Sequence, residues 1–175
     1  MIAAYDVQTY LLDRANIHDT IFRMIISFDT RQTSALVKSV YTPRPYIDYS
    51  EVLGGSPSEM SSEVWAKSLE PILGAFDSTQ HTVQDLLIEL PQPTSKKAIK
   101  LPQTATVIAY AVAWLYRRDS EGQPRVMVRR NGARYELELV RVKELEEKGE
   151  NPWRISKHKC IFTFQDRNLN EAAPA

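Results

Sequence analysis

The stretch Thr104-Ala105-Thr106-Val107-Ile108-Ala109-Tyr110-Ala111-Val112-Ala113-Trp114-Leu115-Tyr116-Arg117 decides the architecture of this chain. Its β-branched and aromatic residues give it the composition of a long strand. The same texture continues on both sides. Thr79 to Leu90 is a second strand, separated from the first by the polar, proline-bearing loop Pro91-Gln92-Pro93-Thr94-Ser95-Lys96-Lys97. After a turn at Asp119 to Pro124, Arg134 to Val142 alternates charged with apolar residues, as a strand with one buried face does. Glu144 to Glu150 is a charged hinge, and Trp153 to Phe164 is the final strand.

Upstream the period changes from two to 3.6. Ile17, Ile21, Met24, Ile25 and Phe28 form one apolar stripe along a long helix. Asp13 or Asn16 is its expected cap, and Asp29 to Thr33 its end. A short helix over Ser34 to Val40 follows, then Thr42-Pro43-Arg44-Pro45 extends the chain into a short strand at Tyr46 to Tyr49. Ser56 and Pro57 predict the start of another helix reaching about Phe76, with Trp65, Leu69, Ile72 and Phe76 on one side and a break or kink at Pro71. Helices followed by long strands specify an α+β architecture. The simplest burial of all these faces is a cone-shaped, curved, mixed or antiparallel sheet around the N-terminal helices, with an open mouth that forms a deep pocket. Residues 1–166 are read as one domain and 167–175 as a loose tail.

Composition narrows the function. The chain has 175 residues with 43% hydrophobic side chains, enough for a core without disulfide or metal staples. Lys+Arg 22 balances Asp+Glu 22, which removes the electrostatic reason to expect nucleic acid or an anionic membrane as partner. The single cysteine, Cys160, forms no CxxC motif. The N-terminus lacks the pattern of a signal peptide and no apolar run is long enough to span a bilayer, so a cytoplasmic location is expected. No glycine-rich phosphate loop or cluster of metal ligands is present in the sequence, and no cofactor or metal is expected.

Three histidines could carry chemistry: His18, His81 and His158. His18 is expected to face solvent. His158, between Lys157 and Lys159, is expected to be structural, its protonation disfavoured by the flanking cations. His81 stands at the start of a strand just after a helix-to-strand turn, where a side chain projects inward near the cavity mouth. Asp29 follows the buried Phe28 at the end of the long helix. Its carboxylate either stays at the pocket edge or is a solvated helix-end acid or a cap for the next helix. Trp65, Phe76, Trp114, Phe162 and Phe164 offer aromatic surface to a ring-shaped ligand, or are plain core.

An ordered series of short motifs adds to this reading: Asp13 to Asp19, Phe28-Asp29-Thr30-Arg31, Tyr46-Ile47-Asp48-Tyr49-Ser50, Thr79-Gln80-His81, Thr104 to Val107, Gly132 to Arg141 and Trp153-Arg154-Ile155. The series resembles the SnoaL-like and scytalone dehydratase branch of the nuclear-transport-factor-like superfamily, over roughly residues 8 to 165. The resemblance implies a cone of helices and curved sheet around a deep pocket. It also implies catalytic roles for Asp29, His81 and Tyr49, and a homo-oligomer, dimeric or trimeric. Phe28 stands where the dehydratase has a second tyrosine. Arg117 falls nearest its second histidine, and Glu136 and Glu138 fall near its serine and asparagine. Substrate contacts are therefore expected from Phe28, Met24, Trp65, Trp114, Arg117, Glu138 and Phe162.

The expectation is a cofactor-independent dehydratase, isomerase or cyclase of secondary metabolism. It would act on a small, hydrophobic, cyclic, polyketide- or terpenoid-like substrate through an Asp29–His81 pair. The alternative is a non-catalytic binding or interaction module on the same fold.

Overall fold

Asp6, in extended conformation, accepts a hydrogen bond from the Thr9 amide at 2.7 Å and starts helix α1 (Val7–Thr30). This computed structural model describes residues 5–94 and 99–167. The apolar stripe Ile17, Ile21, Met24, Ile25 and Phe28 is buried as its period requires. Asp13, expected as the cap, instead sits in the second turn of α1 with 2% of its surface exposed. Its Oδ1 accepts from Trp153 Nε1 at 2.9 Å, and Arg141 donates to its Oδ2. The Arg141 guanidinium also lies 4.8 Å from the Trp153 ring centre. Asn16 caps nothing; its carbonyl accepts from Asn151 and Thr20.

Arg31 leaves α1 in the left-handed conformation, at φ 58°. The chain passes through α2 (Thr33–Ala35) and a π-helical segment (Leu36–Val40) into β1 (Tyr41–Asp48), five residues longer at its start than expected. After α3 (Ser50–Leu53), Ser58 and Glu59 form the short edge strand β2 against Tyr46 and Ile47. They are therefore not part of the next helix. Helix α4 (Ser62–Gly74) begins later, where the Ser61 hydroxyl accepts from the Val64 amide at 3.2 Å. Pro71 lies within α4 without ending it. It stands in the last turn, where its ring forfeits one backbone bond, and burial of Trp65, Leu69 and Leu73 offsets that loss.

Four long strands follow: β3 (Ser78–Glu89), β4 (Thr104–Arg117), β5 (Val126–Arg141) and β6 (Trp153–Arg167), with α5 (Lys143–Glu146) in the expected hinge. The sheet order is β2-β1-β6-β5-β4-β3; β1 runs parallel to β6 and all other neighbours are antiparallel. Residues 95–97 of the polar loop, and 168–175 of the expected tail, lie outside the described residues. The architecture is α+β, a curled, unclosed mixed sheet with the N-terminal helices in its concave face.

The curl has local causes. In β3 the register shifts between Gln84 and Leu87, where Asp85 takes a positive φ of 55°. The bulge increases the local twist and moves the buried face from Thr79, His81 and Val83 to Ile88. In β5 a second shift follows Gly132, which meets Phe164 of β6. A Cβ on Gly132 would stand 2.1 Å from the Phe164 ring, so only glycine allows this approach.

The Asp13–Arg141 pair joins the start of α1 to the far end of β5, with both side chains 3% exposed. Asp13→Ala removes one of the two carboxylates that hold the buried Arg141 guanidinium, Glu146 being the other, and strands Trp153 Nε1, and should cost about 3–5 kcal/mol of stability in urea denaturation. Asp13→Leu combined with Arg141→Met should recover part of that loss, Trp153 Nε1 still lacking its acceptor.

Candidate active site

The concave face of the central strands is lined by small residues. Ala111 and Ala113 alternate along β4, and Ala133 stands beside them on β5. They leave the volume that larger side chains would fill. The result is a cavity of about 340 Å³, roofed by Leu69, Ile72, Leu73 and Phe76 from α4 and its end. Val52 and Leu53 of α3 close one side, and Phe162 of β6 the other.

Asp29 and His81 meet at this cavity. The His81 Nδ1 lies 2.6 Å from Asp29 Oδ1, the Thr79 hydroxyl donates to the same oxygen at 3.0 Å, and the His81 amide donates to Oδ2 at 2.8 Å. A carboxylate in the last turn of a helix sits at the negative end of its dipole, where an acid is not favoured. Three donors from one strand compensate it. With Nδ1–H directed at the carboxylate, the Nε2 lone pair of His81 is available in the cavity. The Phe28 ring packs edge-on against the imidazole at 5.8 Å.

A second polar cluster closes the inner end. His158 is fully buried, and its pKa falls to about 3 because burial penalises the charged imidazolium. Its strand neighbours Lys157 and Lys159 lie on the other face of β6, so burial, rather than the flanking cations, is the cause. Tyr41 Oη lies 2.8 Å from its Nδ1, and Tyr49 Oη 3.1 Å from its Nε2. A neutral imidazole has one donor and one acceptor nitrogen. With the proton on Nε2, His158 donates to Tyr49, and the Tyr49 proton is free to point into the cavity. Burial first, and then the neighbouring Tyr135 phenol, raise the Tyr49 pKa well above its ordinary value, so it remains a proton donor at neutral pH. Tyr135 is also on the cavity wall, and burial raises its phenol likewise. Burial also pushes the Cys160 thiol up to about 12, leaving it protonated.

Of the residues expected to touch a ligand, Phe28, Tyr49, His81 and Phe162 line the cavity. Five do not. Met24 lies in the core, its sulfur 3.2 Å from the Tyr41 hydroxyl oxygen. Trp65 is buried behind Tyr49, with ring centres 4.9 Å apart. Trp114 lies between the inward Ala113 and Leu115, so the period-two alternation of the strand turns it to the outer face. Glu138 is also on the outer face, paired with Lys157 at 2.9 Å. Arg117 is exposed, its guanidinium 5.9 Å from the Phe76 ring centre. His18 is half-exposed beside Asp19.

Sequence reasoning did not single out Tyr135, Asn131, Arg129 or the alanines as site residues. The usable signal was the alternation of Arg129, Asn131, Ala133 and Tyr135 on one face of β5, in phase with the alanines of β4. Among the described residues no three His, Cys, Asp or Glu side chains converge as metal ligands, and no helix is long and apolar enough to cross a membrane.

The model of the SnoaL-like domain family matches residues 9–159, and the chain belongs to that family. Among solved structures it is similar to the Kfla4162 protein of Kribbella flavida, at 22% identity and TM-score 0.71, covering 90% of this chain and 95% of that one. A hexachlorocyclohexane dehydrochlorinase, LinA type 2, matches at 18% identity and TM-score 0.66, covering 94% and 95%. A nuclear transport factor 2-like superfamily protein of Salmonella enterica matches at 13% identity and TM-score 0.63, covering 94% and 99%. At these identities the likeness establishes the fold. No curated protein matches the chain.

Two measurements check this site. His158 is neutral when folded above a pH of about 3 but protonates near 6.5 when unfolded. Between those values the unfolded state binds the extra proton, so stability rises with pH, by about 1.4 kcal/mol per unit at most from this group. Urea midpoints should fall between about pH 7 and about pH 5.5, and His158→Gln should flatten that slope. Ala113→Leu should fill the cavity and abolish binding of apolar probes, with a change in stability of about 1–3 kcal/mol or less.

Proposed function

We propose that this protein is a cofactor-independent enzyme that removes a proton from carbon next to a carbonyl, with elimination or isomerisation as the outcome. The observation that carries this reading is the His81 imidazole, held by Asp29 at 2.6 Å, with Nε2 available in an apolar cavity. The carboxylate fixes the tautomer and stabilises the imidazolium formed when Nε2 takes the proton. Tyr49 and Tyr135, both uncharged at neutral pH, would donate to the enolate oxygen as charge develops there. The apolar wall weakens competition from water and strengthens both interactions. The returned proton assists departure of a hydroxyl as water, or is placed on a different carbon. A polyketide- or terpenoid-like ring of secondary metabolism suits the size and polarity of the cavity.

The lyase chemistry named for the dehydrochlorinase of similar fold is consistent with this reading. Phe28 removes one phenol from the end of α1, and Tyr135 supplies another from the opposite wall.

Cyclic β-hydroxy ketones incubated in deuterium oxide test the mechanism by NMR. The wild type should exchange the α-proton or eliminate water, and His81→Ala should lower the rate by about 10²-fold or more. Asp29→Asn should also slow it, through the wrong imidazole tautomer, and Tyr49→Phe should have a smaller effect because Tyr135 remains. Full turnover by His81→Ala would replace this reading with that of a ligand-binding module.

A further inference from the structure

The cavity mouth carries charge that proton abstraction does not use. Phe76 lies at the rim, and three arginines surround it. The Arg129 guanidinium is 5.8 Å from its ring centre and that of Arg117 is 5.9 Å, while Arg31 donates to its backbone carbonyl. Among the described residues none of these three has a carboxylate within salt-bridge distance, although the chain has as many acids as bases. The nearby acids are engaged elsewhere. Asp77 accepts from the Arg118 amide, and Glu51, on the opposite wall, accepts from the Phe162 amide.

Arg129 is the one of the three that lines the cavity. Strand pairing fixes its place. His81, Ala113 and Asn131 lie in one row across β3, β4 and β5, and the next row towards the mouth contains Thr79, Leu115 and Arg129. At about 4.8 Å between strands and about 3.4 Å per residue, the Arg129 backbone is about 12 Å from that of His81. A guanidinium reaching back over Phe76 and an imidazole reaching forward would bracket a molecule of one or two rings.

We propose that the pocket selects an amphipathic monoanion: an apolar ring body against the alanines, with a carboxylate held by Arg129 at the mouth. This rests on the proposed function only in placing the reacting carbon near His81; the anion selectivity stands on the rim itself. A planar guanidinium suits a carboxylate by two parallel hydrogen bonds, and its stacking on Phe76 keeps the fork oriented. Arg117 and Arg31 add positive potential that draws the anion in and is screened by salt.

The test compares 2-naphthoate with 2-acetonaphthone, an uncharged probe of nearly the same shape, by ligand-detected NMR titration. Wild type should bind the naphthoate about tenfold more tightly or better, the advantage of one charge-assisted contact. Arg129→Met, which keeps the aliphatic stem, should remove the preference without weakening acetonaphthone. Raising sodium chloride from about 0.05 to about 0.5 M should weaken the naphthoate alone. Ala113→Leu should exclude both probes, locating them in this cavity. Equal affinities in the wild type, a preference that survives Arg129→Met, or probes unaffected by Ala113→Leu would each overturn the proposal. His81→Ala should retain the preference, so loss of turnover and loss of anion selectivity remain separate results.

Discussion

Two carboxylates on one helix hold the rest of the molecule in register. Asp13 binds Arg141 and Trp153 at the far end of β5 and the start of β6, and Asp29 binds Thr79 and His81 at the start of β3. They are sixteen residues apart, about 24 Å along the axis and about 160° around it. A helix with acids on nearly opposite sides can satisfy both only if the sheet turns around it. The bulges at Asp85 and Gly132 supply that turn, and the apolar stripe of α1 fills the space between the anchors. Hydrophobic burial supplies most of the stabilisation, but it is non-directional. The two ionic anchors fix the helix axially and rotationally, and so set where Asp29 meets the cavity.

The cavity itself follows from restraint in side-chain size. Well-packed interiors leave few voids, so a space of about 340 Å³ requires that small residues face it together. The alanines of β4 and β5 do this on the sheet side, while α4 provides larger apolar groups on the other. Polar groups are concentrated at two ends: Asp29 and His81 with the arginines towards the mouth, and Tyr49, Tyr135 and His158 within. Thr79 and His81 hold Asp29, and His158 holds Tyr49, so the site is organised before any ligand arrives.

Much of this could be read from the chain. The stripe in α1 and the limits of β4 are legible because periodicity is a local property, and the placing of His81 beside a helix-end acid followed from element order and resemblance. What was misread depends on distant partners. Asp13 has the residue type of a cap, and only Arg141, 128 residues away, makes it a buried anchor. Arg117 and Arg129 lie on adjacent strands, and the register decides which of them lines the cavity. Trp114 and Ala113 differ by one position and therefore by one face. Room for a ligand is marked by the alanine and not by the bulk of the tryptophan beside it.

The parallel pairing of β1 with β6 has a consequence for how the molecule is made. Tyr46 pairs with Lys157 and Ile47 with His158, so β1 awaits a partner strand more than a hundred residues further along the chain. During synthesis at about 5–20 residues per second, α1 and β1 emerge seconds before β6 exists. The oily flank of α1 and the unpaired edge of β1 are then exposed on a nascent chain without their lid. Such long-range closure slows folding relative to local hairpins. The interval between the synthesis of β1 and that of β6 is when this open edge is most exposed to pairing with another chain.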